Sequence, residues 1–238
     1  MIQQKPTLRK IGFFFFSIAF FLGLLLILVR AIPDLEAMLY GFIKYNYPPL
    51  PSLSCPVLMT TSDHEPVTIH LRNTLDKPVT WTVRSQLSTN LIIKTKDEKV
   101  ELQPGETRKL SWEVGEENID LNNFILARIF TSSSSSLKMR ESTCGTLVLK
   151  LPIKGGPAIY YSSLFFTILF AGVGFWLWFH HGEKSDPAVT SQSMWMRFST
   201  LVIIVGLIAS YFDWWFLGIL TVALALISLG MFLISHKD

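Results

Sequence analysis

IGFFFFSIAFFLGLLLILV, residues 11–29, is a run without a single charged side chain. A helix needs roughly 20 apolar residues to cross a hydrocarbon core about 30 Å thick, and this run meets that length. Three further uncharged stretches follow at 158–179, 198–212 and 214–235, and the shortest reaches a spanning length if it starts near Met194. A long polar block, residues 30–157, separates the first stretch from the other three. That spacing predicts an α-helical membrane protein with four transmembrane helices and one folded domain inserted between helices 1 and 2. The block has the size of one independently folding unit with its own core.

The ends of the first stretch set its orientation. Lys5, Arg9 and Lys10 precede it, whereas Arg30 is followed at once by Asp34 and Glu36, which favours a cytoplasmic N-terminus and an exported domain. Counted over all the boundaries the bias is smaller. Lys5, Arg9, Lys10, Lys184, Arg197 and Lys237 stand on one side, and Arg30, Lys44, Lys150 and Lys154 on the other. The cysteines add a second argument. Cys55 and Cys144 are the chain's only two, and they lie near the start and the end of the polar block, as expected for a disulfide formed outside the cytoplasm. The alternative is a pair of buried free thiols. The apolar run is too long for a signal-peptide core, and Val29-Arg30-Ala31 is not a small-x-small cleavage site, so an uncleaved signal anchor is expected. The lack of an Asn-x-Ser/Thr sequon fits a bacterial envelope protein.

After the first span, Pro33 with Asp34 and Glu36 reads as a helix start. Leu35, Met38, Leu39, Phe42 and Ile43 then share one face, placing residues 31–53 as an amphipathic juxtamembrane helix and a connector stiffened by Pro48, Pro49 and Pro51. That face suits either the lipid headgroup layer, with Tyr40, Tyr45 and Tyr47 at the interface, or packing on the domain.

From Ser54 the apolar period changes to two. In Val67-Thr68-Ile69-His70-Leu71 and in Val79-Thr80-Trp81-Thr82-Val83 the odd positions are apolar, the pattern of strands with one face buried. Strands are predicted at 55–60, 67–72, 79–87, 91–95, 99–102, 108–114, 124–132 and 145–153. The expected result is an all-β, two-sheet antiparallel sandwich over residues 54–154. The text PVTIHLRNTLDKPVTWTV (66–83), followed by VELQPGETRKLSWEV (100–114), resembles the bacterial immunoglobulin-like modules of the CARDB and NEW3 type. The resemblance covers residues 54–153. It implies an immunoglobulin-like sandwich and transfers no catalytic residue.

The search for chemistry excludes more than it finds. The net charge of +3, with basic and acidic residues interspersed, argues against nucleic acid. No phosphate-binding loop, paired-cysteine zinc motif or nucleophile elbow occurs. No His or acid pattern accompanies the serine run 132–136, which reads as a loop. His64, His70, Met59 and Met139 form no recognised copper pattern. His180 and His181 read as interfacial anchors. No catalytic, cofactor-binding or metal-ligating residue is therefore expected, and no cofactor. Arg197 and Asp213 fall at helix ends and no ionisable residue lies centrally in a span, which argues against transport by this chain alone. Small residues recur every four positions at Ser163, Thr167 and Ala171, at Gly206 with Ser210, at Ala19 with Gly23 and at Thr221 with Ala225, a spacing that lets helix backbones approach.

The expected segments are a cytoplasmic N-terminus 1–10 and helices at 11–30, 158–180, 194–212 and 214–235. A cytoplasmic linker 181–193 and a tail 236–238 complete the chain. These features point to a multi-pass protein of the cell membrane, with both termini cytoplasmic, whose exported sandwich binds another protein or supports assembly at the cell surface. The expected partners are the lipid bilayer and another protein. An accessory subunit of a transport, secretion or respiratory complex is the first alternative, and an envelope enzyme or metal carrier the second.

Overall fold

The computed structural model describes residues 4–43, 47–90, 92–134, 138–181, 187–212 and 214–235. Expectations on Lys44, Tyr45, Leu91, Ser135, Ser136, Lys184, Asp213, the linker residues 182–186 and the tail 236–238 lie outside the described residues, as do the side chains of Lys5 and His181. Along the chain come α1 (Gln4–Leu39), β1 (Leu58–Thr60), β2 (Glu65–Arg72), β3 (Val79–Thr89), β4 (Ile92–Leu102) and β5 (Thr107–Val114). A 3-10 turn (Glu116–Asn118), β6 (Ile119–Asp120), β7 (Phe124–Ser133), β8 (Arg140–Leu149), α2 (Gly156–His181), α3 (Pro187–Tyr211) and α4 (Trp215–Ser235) follow. They form two compact units, one of residues Ile32–Ala158 and one of Met1–Ala31 with Ile159–Asp238.

The helical unit is predominantly apolar, with Arg9, Lys10, Arg30 and Arg197 among its few charged residues. Three helical segments, Leu8–Leu39, Gly156–His180 and Ser193–Tyr211, are long and apolar enough to cross a membrane. Its interior gathers Phe16, Phe20, Leu24 and Ile27 of α1, Trp178 of α2, Trp195, Met196 and Ile203 of α3, and Val222 and Ala225 of α4. Between lipid-exposed helices no hydrophobic effect operates, so close contact and ring packing must supply the adhesion. Phe13, Phe16 and Phe20 accordingly surround Trp195 with ring centroids 5.9, 5.7 and 5.4 Å away.

The β unit is a mixed, two-sheet structure. The larger sheet has the order β1-β8-β7-β3-β4, with β6 beside β7, and the smaller pairs β2 with β5. Val67, Ile69 and Leu71 of β2 and Val79, Trp81 and Val83 of β3 all enter the core between the sheets, as the alternation requires. Four expectations need correction. The sandwich is not wholly antiparallel, because β1 pairs in parallel with β8, Leu58 opposite Leu147. The strands predicted separately at 91–95 and 99–102 merge into β4 over Ile92–Leu102, since Lys96-Asp97-Glu98 continue the ladder opposite Ser85, Arg84 and Val83. The last strand occupies 140–149 rather than 145–153, because Arg140 to Ser142 pair with β7 at Thr131 to Ile129. Pro33 does not begin a helix: α1 runs through it to Leu39.

Packing on the larger sheet explains why α1 tolerates Pro33. The side chains facing β7 and β8 are Pro33, Asp34 and Ala37, joined from the expected stripe by Phe42, whereas Leu39 and Ile43 of that stripe are exposed. Ala37 and Phe42 cluster with Leu126, and Tyr40 donates a hydrogen bond to Asp120 Oδ2. Burial, followed by that bond and the charge of Asp120, pushes the Tyr40 hydroxyl up to about 12. At Gly145 the helix touches the strand: a Cβ there would lie 2.1 Å from the Pro33 carbonyl oxygen. The Gly145 N–H instead donates to Asp34 Oδ1 at 3.0 Å.

The disulfide Cys55–Cys144 is present, with Cα atoms 6.1 Å apart and 89 residues of separation. Cys144 faces the core from β8, while Ser54, adjacent to Cys55, bridges Thr68 of β2, so the bond clasps the two sheets. In the chain-entropy account it stabilises by roughly 4–5 kcal/mol, about as much as fully burying two large apolar side chains.

Asp63, in the β1–β2 turn, holds the exit of the unit. Its carboxylate accepts the N–H groups of Thr60, Gly155 and Gly156, each at 2.8 Å. The last two open α2, whose orphan donors it satisfies from a distant part of the chain. Burial opposes the charge, yet these three N–H groups together outweigh it and hold the Asp63 carboxyl below its usual value.

Two outcomes follow. Gly145→Ala should destabilise the full-length protein by roughly 1–3 kcal/mol through overpacking, whereas Gly41→Ala, with nothing within 4 Å of the new methyl, should not. Thermal unfolding in detergent compares them, and equal midpoints would refute the contact. Because the folded-state pKa of Asp63 is depressed, its contribution is complete above the unfolded value of 3.8 and disappears as pH falls through the lower folded value. Asp63→Asn should reduce stability at neutral pH and flatten that acid limb. An unchanged limb in acid unfolding curves would count against the assignment.

Candidate functional site

The loops at the exit end of the β unit enclose an open cleft of about 790 Å³, within the range of small-ligand and peptide-side-chain pockets. Thr61 and Ser62 come from the β1–β2 turn, Thr89 and Asn90 from the end of β3, Glu116 and Glu117 from the 3-10 turn, Asn122 from the β6–β7 turn, and Lys150 from the end of β8. Residues 116–122 supply four of the ten lining residues, and the other six arrive from three distant parts of the chain. The lining therefore exists only once both sheets have formed.

Buried polar contacts set the positions of the acidic pair. Asn118 donates from Nδ2 to the Ser88 carbonyl at 3.1 Å, and Ser88 Oγ donates to the Asn118 carbonyl at 2.7 Å. Ser88 Oγ also accepts the Leu126 N–H at 2.9 Å, and Asn118 Oδ1 accepts the Gly115 N–H at 3.2 Å. Ser88 and Asn118 are almost fully buried. Reciprocal bonds of this kind fix the 3-10 turn to β3, because breaking one leaves an unsatisfied buried group at a cost of about 1–3 kcal/mol. Glu116 and Glu117 are consequently exposed on a rigid support.

The turns beside them hold unusual backbone conformations. Asn90 and Asn122 have φ of 42° and 72°, which asparagine adopts readily, but Leu121 has φ of 48°, which a leucine does not. Asp120 Oδ1 accepts the Leu121 N–H at 2.7 Å and fixes this turn. His64 lies over Gly115, where an added Cβ would come within 2.5 Å of its Nδ1. The site thus offers two carboxylates, one ammonium group, and hydroxyl and amide donors on a backbone held by buried hydrogen bonds. It can hold a polar or charged group, such as a side chain of a partner protein.

The residues singled out in the sequence lie elsewhere. Cys55 and Cys144 are in the core of the β unit. His64 and His70 are exposed, Met59 is fully buried and Met139 exposed. Among the described residues no three His, Cys, Asp or Glu side chains converge as metal ligands would. Thr167 is buried and Ser163 and Ala171 half-buried on α2, with Thr167 Oγ1 bonded to the Ser163 carbonyl at 2.8 Å. Gly206 and Ser210 are buried on α3. A Cβ at Gly206 would meet Ile27 of α1 and Thr221 of α4, each at 2.5 Å, so that glycine sits where three helices converge. The pairing of Gly12 with Gly174 escaped the sequence reading. A Cβ at Gly174 would lie 2.8 Å from the Gly12 carbonyl oxygen, making this a close crossing of α1 and α2. The signal was available as two glycines in otherwise bulky aromatic runs.

No family model matches the chain, and no curated protein matches it. Among solved structures, Bacteroides uniformis β-glucuronidase 2, covalently bound to cyclophellitol-6-carboxylate aziridine, is similar at 12% identity over 38% of this chain and 12% of its own, with a TM-score of 0.30. Listeria innocua β-glucosidase in complex with glucose is 19% identical over 41% of this chain and 16% of its own, with a TM-score of 0.27. A chaperone–tip adhesion subunit pre-assembly complex (CsuC–CsuE) of archaic chaperone-usher pili of Acinetobacter baumannii is 11% identical over 40% of this chain and 49% of its own, with a TM-score of 0.26. The chain thus spans about an eighth to a half of these proteins, and likenesses of this size carry no functional information.

Proposed function

We propose that this is a non-enzymatic, multi-pass protein of a bacterial cell membrane whose exported, immunoglobulin-like β domain of the CARDB/NEW3 type binds a partner protein or supports assembly at the cell surface. In this reading α4, a 21-residue apolar helix, is a fourth span, and both termini are cytoplasmic. The cleft carries the proposal. A spacer domain needs only a stable core, whereas here buried hydrogen bonds fix the turn that carries two exposed acidic residues, on a cleft that a lysine also lines. The disulfide supports export, since such bonds persist outside the reducing cytoplasm.

The accessory-subunit alternative rests on a different observation. Helix α2 is the least enclosed of the apolar helices and exposes Tyr161, Phe165, Ile168 and Trp176, a surface for lipid or for a partner helix.

Photo-crosslinking in intact cells separates the two. A photoreactive residue at Asn90 should give a discrete adduct, which Glu116→Lys with Glu117→Lys should reduce at least tenfold without altering the disulfide or the thermal midpoint. An adduct from position 176 and none from position 90 favours the accessory subunit, and adducts from neither remove both readings. Topology has its own test. A membrane-impermeant thiol reagent applied to whole cells should modify Cys55 and Cys144 only after reduction. Modification without reduction would refute the pairing, and because both cysteines are buried the side of the membrane is read at Lys77→Cys, where protection from the same reagent would place the domain in the cytoplasm.

A further inference from the structure

The stretch Lys150-Leu151-Pro152-Ile153-Lys154 joins β8 to α2, and all five residues are exposed. Exposed apolar side chains in a connector usually accompany a loose backbone, but this backbone is secured. The Leu151 carbonyl accepts the Thr61 hydroxyl at 3.0 Å, and the Ile153 carbonyl accepts the Thr60 hydroxyl. The next two N–H groups, of Gly155 and Gly156, go to Asp63. Gly156 is wedged so tightly that a Cβ would lie 2.4 Å from the Cα of Met59. The fold therefore spends its hydrogen bonds on holding the connector while leaving Leu151 39% and Ile153 55% exposed. Leu121, in the β6–β7 turn, and Ile92, the first residue of β4, are also exposed, each within two residues of one that lines the cleft with Lys150 and Pro152.

One occupant fits this surface. The connector passes within two residues into α2, a helix long and apolar enough to cross a membrane. Ile153 is three residues from the start of that helix and, even fully extended, can stand only about 10 Å from it. Apolar side chains flanked by lysines match the boundary between acyl chains and phosphates, where the apolar groups insert and the ammonium groups reach the anionic oxygens. Lysines close to an anionic surface strengthen such an attachment by direct attraction. We propose that residues 150–154 form a membrane-seated strut: Leu151 and Ile153 enter the headgroup layer, and Lys150 and Lys154 bind phospholipid phosphate. This goes beyond the partner-binding reading and does not depend on it, since purified protein in vesicles meets lipid but no partner.

The test uses the full-length protein, in which the native cysteines are paired, so that an added cysteine is the only thiol to label. Ile153→Cys, or Leu151→Cys if the first folds poorly, is labelled with an environment-sensitive fluorophore. Lys77→Cys, in the β2–β3 turn at the opposite end of the strands, is the control. In vesicles of three parts phosphatidylethanolamine to one part phosphatidylglycerol, a headgroup-attached nitroxide lipid should quench position 153 at least threefold more than position 77. Combining Lys150→Gln with Lys154→Gln should reduce that difference at least twofold. Equal quenching at 153 and 77 would overturn the proposal. So would a label at 153 shielded from both the nitroxide lipid and aqueous iodide, the result expected of a protein-covered surface.

Discussion

Everything in the β unit depends on how the dipeptide Cys144-Gly145 of β8 is held. Because side chains alternate along a strand, Cys144 points into the core and reaches Cys55, while Gly145 leaves room for the Pro33 carbonyl on the other face. The backbone edge is satisfied at the same place. Along β8 the outward groups meet Pro48 and Leu50 at Glu141, and Val57 at Leu147, and between them the Gly145 N–H meets Asp34. A carboxylate carried by a helix thus satisfies an N–H group in the gap that an interrupted edge strand leaves. An open edge invites pairing with other chains, so this closure protects the unit as well as stabilising it.

The parts of the fold that were legible are those in which local sequence and final environment agree. The alternation at 67–71 and 79–83 survives because each strand has one dry face and one wet face. The middle of β4, Lys96 to Glu98, was not legible: Lys94 to Asp97 are exposed on both faces at the edge of the sheet, so no apolar alternation carries the strand through it. The first half of β8 was hidden for the opposite reason. Arg140 and Glu141 read as loop residues, but Arg128 of β7 is buried against Glu141, and the strand continues beneath segments that arrive from residues 47–50. Pro33 misled because the rule that proline opens a helix is local, whereas docking of Asp34, Ala37 and Tyr40 on β7, β8 and the β6–β7 turn is tertiary and outweighs it.

The cleft was invisible for a topological reason. No window of sequence contains Thr61, Asn90, Glu116 and Lys150 together. Their convergence follows from strand order, which places the ends of β1, β3, β5 and β8 at one end of the sandwich. Single clues were present. Asn-Ile at 118–119 followed by Asp-Leu-Asn-Asn at 120–123 signals a turn, and Glu116-Glu117 signals exposure. Neither says what faces it.

That arrangement also narrows what the cleft can accept. The Ser88–Asn118 bonds are internal to the unit, so the backbone carrying Glu116 and Glu117 keeps its position whether or not anything is bound, and association has only the exposed side chains left to order. A purely anionic partner would meet two carboxylates against one ammonium group, and a purely cationic one would leave Lys150 opposed. The favourable case is a segment presenting both signs, with its basic group toward the 3-10 turn and its acidic group toward the end of β8. Surface charges of this kind lose strength beyond about 8 Å at physiological salt, so selectivity must come from direct seating in the recess rather than long-range steering.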